Sequence, residues 1–391
     1  MKVAGTTLAA AVTLLVALLA GTRDARTQVA LSALPAAPEA PADNPTTPEK
    51  VELGRLLFWD PVLSGDRDVA CATCHHPRFG YAEDRDLSIG ASGHGLGASR
   101  QFAPGSAIPL VKRNSQTVLN VAFNGIAATG QFDAAAAPMF WDLRVRTLEA
   151  QALEPIKALE EMRGSSVAED QILGVVIARV AAIDDYRARF ARAFGGPGAV
   201  TPVNLGRALA SFQRSLLANN SPFDRYQRGD ADAMTPVQIR GLARFERAGC
   251  ANCHSGPMFS DFAAHVLGVP DNLTLPASDT GVNGTYAFRT PSLRNLAFTA
   301  PYMHSGVFRT LDDVLDFYDG VQGRGGRGGR GGRGRRNPNV GRGQLDPLLG
   351  RVNVNGEREL IAFLGALNDP GFDKTIPARV PSGLMPGGRI E

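Results

Sequence analysis

Cysteine is scarce in this sequence, and none of it is left over for a structural disulfide bond. The 391 residues include four cysteines. They form two close pairs, and a histidine follows each pair directly, at residues 71–75 and 250–254. This usage excludes a small scaffold held together by disulfide bonds, in which cysteines are numerous and paired with one another.

A long apolar run is also lacking near the start of the chain. The uncharged stretch from Leu8 to Ala20 follows Lys2 and precedes Arg23. Because a membrane-spanning helix needs about 20 apolar residues, this stretch is short for a span. It predicts a secretory signal peptide over residues 1–27, with an uncleaved anchor as the alternative. The Ala/Pro-rich residues 28–48 predict a linker, and export predicts the periplasm as the location.

The positive net charge of +3 comes from one short segment. The Gly/Arg-rich stretch 323–336 holds six arginines, and without them 35 basic residues face 38 acidic ones. The body of the protein is therefore mildly acidic. The stretch cannot pack a core and predicts a surface insert. A basic docking arm is the alternative, although nucleic acid is not expected as a partner of an exported protein.

The two cysteine pairs both fit the attachment signature of c-type haem, Cys-X-X-Cys-His. Two thiols one helical turn apart can bond to the two vinyl groups of a porphyrin, and the adjacent histidine then supplies a nitrogen ligand to the iron. A zinc site would place the pairs roughly 15–20 residues apart, and a thioredoxin-like site would need only one pair. The sequence therefore predicts two covalent haems, with the attachment and ligand residues Cys71, Cys74, His75, Cys250, Cys253 and His254.

Helix signals dominate the rest of the chain. Three predicted helices begin at Thr-Pro pairs, which are Thr47-Pro48, Thr201-Pro202 and Thr235-Pro236. A last helix is predicted from Glu357 to Leu367 and is ended by Asn368-Asp369-Pro370. The expected fold is mainly α, with two cytochrome c-like haem domains and little β structure. We place the N-terminal haem domain at 49–220 and the C-terminal one at 221–391, the latter carrying the insert.

Several motifs make the chain resemble the bacterial di-haem cytochrome c peroxidase and MauG family. The resemblance runs from about Leu53 to about Leu367, and its motifs are Leu56-Leu57-Phe58-Trp59-Asp60-Pro61, Arg113-Asn114, Phe140-Trp141-Asp142, Arg289-Thr290-Pro291-Ser292-Leu293-Arg294-Asn295 and Thr299-Ala300-Pro301-Tyr302-Met303-His304. The resemblance implies that the first haem meets peroxide and that the second accepts and relays electrons.

Catalytic roles are implied by the same resemblance. Trp141 matches the tryptophan between the two haems, while a packed core aromatic is the alternative. Gln151 and Glu161 match the glutamine and the acid of the peroxide pocket, and Pro155 matches a pocket position in the MauG branch. Peroxide cleavage needs a group that moves a proton between the two oxygens, which a carboxylate in a partly dry pocket can do. A solvated helix face is the alternative for Glu161, and Glu160 is a rival for its role.

The family also implies a calcium site between the domains. Asn114, Thr299 and Pro301 match its ligands, the last two through their backbone oxygens. Ligation by oxygen alone suits Ca²⁺.

Two positions depart from the typical peroxidases. Tyr318 stands where those enzymes have a methionine ligand to the second haem, and MauG has a tyrosine there. It shares a predicted helical face with Leu311 and Leu315, so it points at the core; either it ligates the iron or it packs as a core tyrosine. A phenolate ligand would favour ferric iron.

The histidines outside the two motifs are given lesser roles. Ala91 follows Ser88-Ile89-Gly90, where many peroxidases carry a detachable histidine, so the first iron is expected to be open unless His94 substitutes. We expect His76 to lie at the surface, and His265 and His304 to be structural residues near the second haem.

The resemblance implies a periplasmic di-haem peroxidase that reduces hydrogen peroxide with electrons from cytochrome c or another small redox protein. Two alternatives stay open: a MauG-like oxidase that modifies a protein or organic substrate, and a di-haem electron-transfer cytochrome without peroxide chemistry. A homodimer is compatible with all three.

Overall fold

The computed structural model describes residues 31–321 and 336–391. The predicted signal peptide over 1–27 lies outside this part of the chain, as does the insert 323–336 apart from its last residue. Within the two described ranges, every helix is too short or too polar to cross a membrane.

Helices form most of the regular structure, as predicted. They are α1 (Pro48–Trp59), α2 (Cys71–Cys74), α3 (Leu148–Gln151), α4 (Glu154–Lys157), α5 (Ile172–Ala182), α6 (Asp184–Phe194), α7 (Pro202–Ser215), α8 (Pro222–Gln227), α9 (Pro236–Arg247), α10 (Leu311–Val321) and α11 (Glu357–Gly365). The strands are two residues long and pair as three antiparallel hairpins, β1 (Gly93–His94) with β2 (Gln101–Phe102), β3 (Pro138–Met139) with β4 (Val145–Arg146), and β5 (Ala264–His265) with β6 (Phe288–Arg289).

The Thr-Pro pairs begin helices because threonine caps the first turn. The side chains of Thr47, Thr201 and Thr235 each accept a hydrogen bond from the backbone N–H three residues on, and proline occupies the first helical position. Capping satisfies a donor that the helix cannot pair, and proline has no N–H to leave unpaired there. These local signals explain why the helix starts could be read from the sequence.

Both halves of the chain use the same helix pair to support a haem motif. In the first half α1 packs on α7, and a Cβ atom at Gly54 would collide with the Ala208 carbonyl oxygen. In the second half α9 packs on α11, and a Cβ atom at Gly241 would collide with the Glu359 carbonyl oxygen. Each glycine lets two helix backbones approach closely. In each half, one helix of the pair precedes the haem motif in the sequence and the other follows it, and the two halves have separate cores.

The two ends of the described chain depart from the predicted ranges. The last residues of the predicted domain 221–391 pack against the first half, since Phe372 and Val380 are buried in the first core. The Gly387 N–H donates to the Trp59 carbonyl oxygen at 2.7 Å. Part of the predicted linker is packed as well, since Leu34 is buried between the halves.

Candidate active site

A continuous cavity of about 600 Å³ lies between the two halves and is lined by both haem motifs. We call it the central cavity. Its walls include all the residues predicted for catalysis, haem attachment and calcium binding, namely Cys71, Cys74, His75, Asn114, Trp141, Gln151, Glu161, Cys250, Cys253, His254, Thr299, Pro301 and Tyr318. Residues that are far apart in the sequence therefore face one shared space.

The two motif histidines have the same hydrogen-bond arrangement. His75 Nδ1 lies 3.1 Å from the Tyr81 carbonyl oxygen, and His254 Nδ1 lies 3.0 Å from the Phe259 carbonyl oxygen. Because a carbonyl oxygen only accepts, Nδ1 carries the proton and Nε2 keeps its lone pair. Burial lowers the pKa of both histidines, which favours the neutral ring that a metal requires.

The four cysteines present thiols to the central cavity and form no disulfide. α2 holds the first pair, and a short 3-10 turn at Cys250–Asn252 begins the second motif. Burial raises the pKa of Cys71 to about 12. Thiols at one turn's spacing beside a histidine with a free Nε2, on the wall of a large cavity, fit two covalently attached haems.

Glu161 lies in a π-helical turn, Leu159–Arg163, that two glycines hold in place. The Gly65 N–H donates to the Met162 carbonyl oxygen at 2.9 Å. A Cβ atom at Gly90 would collide with the carbonyl oxygens of Glu160 and Glu161. Single π turns are often found at functional sites, and here the turn brings Glu161 to the cavity wall.

The Glu161 carboxyl has the properties of a proton carrier. Burial raises its pKa from 4.5 to about 7, and the negative charge of Glu160 adds to the rise. Burial also raises the pKa of Cys71 and Cys74, and in both the charge of Glu161 adds to the shift. The carboxyl is therefore close to the first haem motif, and Gln151 lines the same cavity.

Trp141 is buried on the wall of the cavity that both motifs line. Its Nε1 donates to the Asn114 carbonyl oxygen at 2.9 Å. The next residue, Asp142, pairs with Arg113 at 2.6 Å, and Arg113 also forms two hydrogen bonds to Asp279, of 2.6 and 3.0 Å. The network joins the tryptophan loop to the second half. Arg113 belongs to a recognised motif, but no sequence signal pointed to Asp279.

Tyr318 faces the central cavity from α10 together with its predicted neighbours on that face, Leu311, Val314 and Leu315. Burial raises the pKa of the Tyr318 phenol, and the nearby Cys250 and Cys253 add to the rise. The phenol therefore lies beside the second haem motif.

The remaining histidines divide between the cavity and the protein body. The expectation that His76 lies at the surface is wrong: it is buried, and its ring packs edge-on against Trp59 at 5.4 Å. His94 is exposed and is not part of the cavity wall. His265 lies between Asp346 and Asp261, at 2.6 and 3.0 Å, and His304 stacks on Phe288 at 3.5 Å.

The residues predicted to bind calcium all line the central cavity. The Asn114 N–H donates to the His304 carbonyl oxygen at 2.7 Å, which joins the loop around Asn114 to the segment that carries Thr299 and Pro301. The Asn114 amide nitrogen donates to the carbonyl oxygen of Arg85 at 3.0 Å. Its amide oxygen is the end of the side chain that can serve as a metal ligand.

Comparisons of sequence and of structure both match this chain to di-haem peroxidases and MauG-like proteins. The family model described as di-haem cytochrome c peroxidase matches residues 48–232. The methylamine utilization protein MauG of Methylorubrum extorquens is 34% identical over 344 residues, covering 86% of this chain and 83% of that protein. Cytochrome c551 peroxidase of Pseudomonas aeruginosa is 34% identical over 291 residues, covering 71% and 74%. A solved MauG-like protein associated with microbial copper homeostasis has a TM-score of 0.67 at 28% identity, covering 86% of this chain and 95% of that one.

Proposed function

The chain belongs to the di-haem cytochrome c peroxidase and MauG family, and on that premise we propose that it reduces hydrogen peroxide with electrons from a small redox protein such as cytochrome c. The family implies two c-type haems. The reaction combines one peroxide with two electrons and two protons and yields two waters. The export expected from residues 1–27 would place it in the periplasm.

The haem motifs would hold the two cofactors. Cys71 and Cys74 would bond to one haem and Cys250 and Cys253 to the other, with His75 and His254 as iron ligands through Nε2. When bound, the haem supplies the redox-active iron that meets the peroxide. The carbonyl oxygens of Tyr81 and Phe259 fix the orientation of the two imidazole rings.

The observation that carries the proposal is the half-buried Glu161 carboxyl beside the first haem motif. Its pKa of about 7 leaves it partly ionised at neutral pH. It can then take a proton from one peroxide oxygen and return it to the other as the O–O bond breaks, a task that works best when the pKa is near the working pH. Gln151, on the same wall, can donate a hydrogen bond to a bound peroxide.

Trp141 would carry electrons between the two haem sites. It is the tryptophan that lines the central cavity, and its hydrogen bond to Asn114 fixes the indole on the wall that both motifs share. Calcium bound by Asn114, Thr299 and Pro301 would hold this wall in place, because the same residue, Asn114, accepts the indole hydrogen bond.

The test is oxidation of reduced cytochrome c by peroxide, using the haem-loaded protein. We expect Glu161→Gln to lower the rate by about 10²–10⁴-fold, the usual contribution of a general acid–base group. Glu52→Gln is the control, since Glu52 pairs with Arg55 at 3.7 Å and is not on the cavity wall. Loss of activity in Glu160→Gln but not in Glu161→Gln would assign the role to the neighbour. A wild-type protein that carries both haems and oxidises no cytochrome c would refute the proposal.

Tyr318 favours a second candidate function, a MauG-like oxidase that modifies a protein or organic substrate. An oxygen ligand at the second haem would favour oxidised iron and make that haem a poor acceptor for electrons from cytochrome c. The cytochrome c assay separates the two: peroxide consumption without cytochrome c oxidation, but with oxidation of another added reductant, would indicate the oxidase.

A further inference from the structure

Arg289 is a buried cation whose hydrogen-bond partners among the described residues are neutral groups. Its side chain is 5% exposed. It forms no ion pair with any carboxylate of residues 31–321 or 336–391, and burial is the one cause that lowers its pKa, to about 10. The guanidinium is therefore still charged at neutral pH. An unpaired charge in the interior is unfavourable unless an opposite charge meets it.

The bonds that Arg289 does make leave part of its guanidinium available. Nε donates to the Phe140 carbonyl oxygen at 2.9 Å, and Nη2 donates to Gln116 Oε1 at 3.0 Å. Nη1 makes no hydrogen bond to a described residue. It is also not one of the fully buried polar atoms that lack a partner. Arg289 lines the central cavity, so a group bound there can come within reach of its guanidinium.

The position of Arg289 between the halves is fixed from several sides. It lies on β6, in the second half, and its backbone N–H donates to the Trp141 carbonyl oxygen at 2.8 Å. Both hydrogen-bond partners of its side chain, Phe140 and Gln116, belong to the first half, and its guanidinium lies 5.7 Å from the ring centre of Phe262. The side chain is thus preorganised, and a ligand would find it already in place.

We propose that Arg289 binds a propionate carboxylate of one of the two haems in the central cavity. This inference rests on the haem binding proposed above. Each haem carries two propionates, so the missing negative charge would arrive with the cofactor. Arginine suits the role because its planar N–H groups match a carboxylate and stay charged when buried. Arg289 would also set the potential of that haem, because a nearby positive charge stabilises the reduced form.

The counterpart for comparison is Arg214, which is similarly buried but has an acidic partner. Its side chain is 3% exposed and pairs with Glu149, and it does not line the central cavity. Arg214→Gln therefore measures the general effect of removing a buried arginine. Arg289→Lys keeps the charge but not the fork of hydrogen bonds, whereas Arg289→Gln removes the charge.

The experiment is a potentiometric titration of both haems in the full-length, haem-loaded variants, with the propionate-bending bands of the resonance Raman spectrum as a second measurement. We expect Arg289→Gln to lower the midpoint potential of one haem and shift its propionate band, Arg289→Lys to restore most of the potential, and Arg214→Gln to change neither. Unchanged potentials and bands in Arg289→Gln would overturn the inference and leave Arg289 as a clamp on the Phe140 loop.

Two further outcomes are distinguishable. If Arg289→Gln does not fold, the propionate band of Arg289→Lys decides, because exchange of a guanidinium for an ammonium alters that hydrogen bond only if it exists. A haemochrome assay that finds no covalent haem in the wild-type protein would refute the proposed function itself. Two covalent haems with unaltered potentials and bands would refute only the role of Arg289.

Discussion

Trp141 and Asn114 are joined by a hydrogen bond of 2.9 Å from the indole nitrogen to a backbone carbonyl oxygen. The bond lies beside a set of ion pairs in which Arg113 bridges Asp142 and Asp279. One carboxylate follows the tryptophan in the chain, and the other belongs to the second half. The indole hydrogen bond lies within the first half, and the Arg113–Asp279 ion pair beside it joins the tryptophan loop to the second half.

Replacing Trp141 by phenylalanine should therefore affect both stability and electron transfer. The Asn114 carbonyl oxygen would lose its donor inside the protein, which costs about 1–3 kcal/mol. The matched control is Trp59→Phe. Trp59 is also buried, but its Nε1 has no hydrogen-bond partner among the described residues, so the same loss of volume occurs without loss of a bond.

We expect the free energy of unfolding of Trp141→Phe to be lower than that of Trp59→Phe by about 1–3 kcal/mol, the cost of the lost hydrogen bond. We also expect slower oxidation of cytochrome c in Trp141→Phe alone. Urea unfolding and the peroxide assay measure the two effects. Equal rates in both variants would remove Trp141 from the electron path.

Glu161 should make both activity and stability depend on pH near neutrality. Its pKa is raised by burial from 4.5 to about 7. Because the carboxylate is the form that accepts a proton, kcat/KM for peroxide should rise as the pH rises through about 7. Between pH 4.5 and 7 the folded protein holds a proton that the unfolded chain has lost, so the free energy of unfolding should fall as the pH rises through this window, by up to roughly 3 kcal/mol.

Glu83 provides the control for that pH dependence. It is buried and is not part of the cavity wall, and burial raises its pKa to about 7. Glu161→Gln and Glu83→Gln should each reduce the change in the free energy of unfolding between pH 4.5 and 7. Only Glu161→Gln should abolish the rise of kcat/KM, and a Glu161→Gln variant with the full wild-type curve would contradict the assignment.

Tyr318 should set the potential of the second haem if its phenol oxygen binds the iron. Tyr318→Phe keeps the ring on the cavity wall but removes the oxygen. The midpoint potential of that haem should then rise, because an oxygen ligand favours ferric iron. Potentiometric titration of the wild-type protein and of Tyr318→Phe measures the shift in midpoint potential. A potential identical to that of the wild type would identify Tyr318 as a packed core residue.

Calcium removal should reduce activity without removing the haems. If Asn114, Thr299 and Pro301 hold the ion, a chelator should slow cytochrome c oxidation and added Ca²⁺ should restore the rate. Asn114→Ala, which keeps the backbone carbonyl oxygen that accepts from Trp141, should be slow at every calcium concentration. Activity that does not respond to the chelator in the wild type would argue against a calcium site.

The features that the sequence predicted are those with local signals. Helix starts at Thr47, Thr201 and Thr235 depend on residues one to three positions away, and the haem motifs are contiguous. The burial of His76 and the unpaired state of Arg289 depend on side chains that are distant in the sequence. Neither leaves a pattern in its own segment, so no reading of the sequence by periodicity or motif could have found them.

The C-terminal segment is the clearest case of structure without a local signal, and Phe372 allows it to be tested. No helix or strand marks residues 370–391, yet the Phe372 ring packs against Tyr81 at 6.1 Å and against Phe298 at 5.7 Å. The Tyr81 carbonyl oxygen orients His75. Loss of the Phe372 ring should therefore disturb the first haem site although the residue follows the whole second half of the chain.

Phe372→Ala should lower the free energy of unfolding by about 3–5 kcal/mol, as is usual for a buried phenylalanine, and should shift the midpoint potential of the first haem. Phe363→Ala is the matched control, because Phe363 is fully buried in the second core, on α11. It should cost a similar free energy but alter the second haem. If Phe372→Ala affected the second haem instead, the segment would belong with residues 221–367, as the sequence alone had suggested.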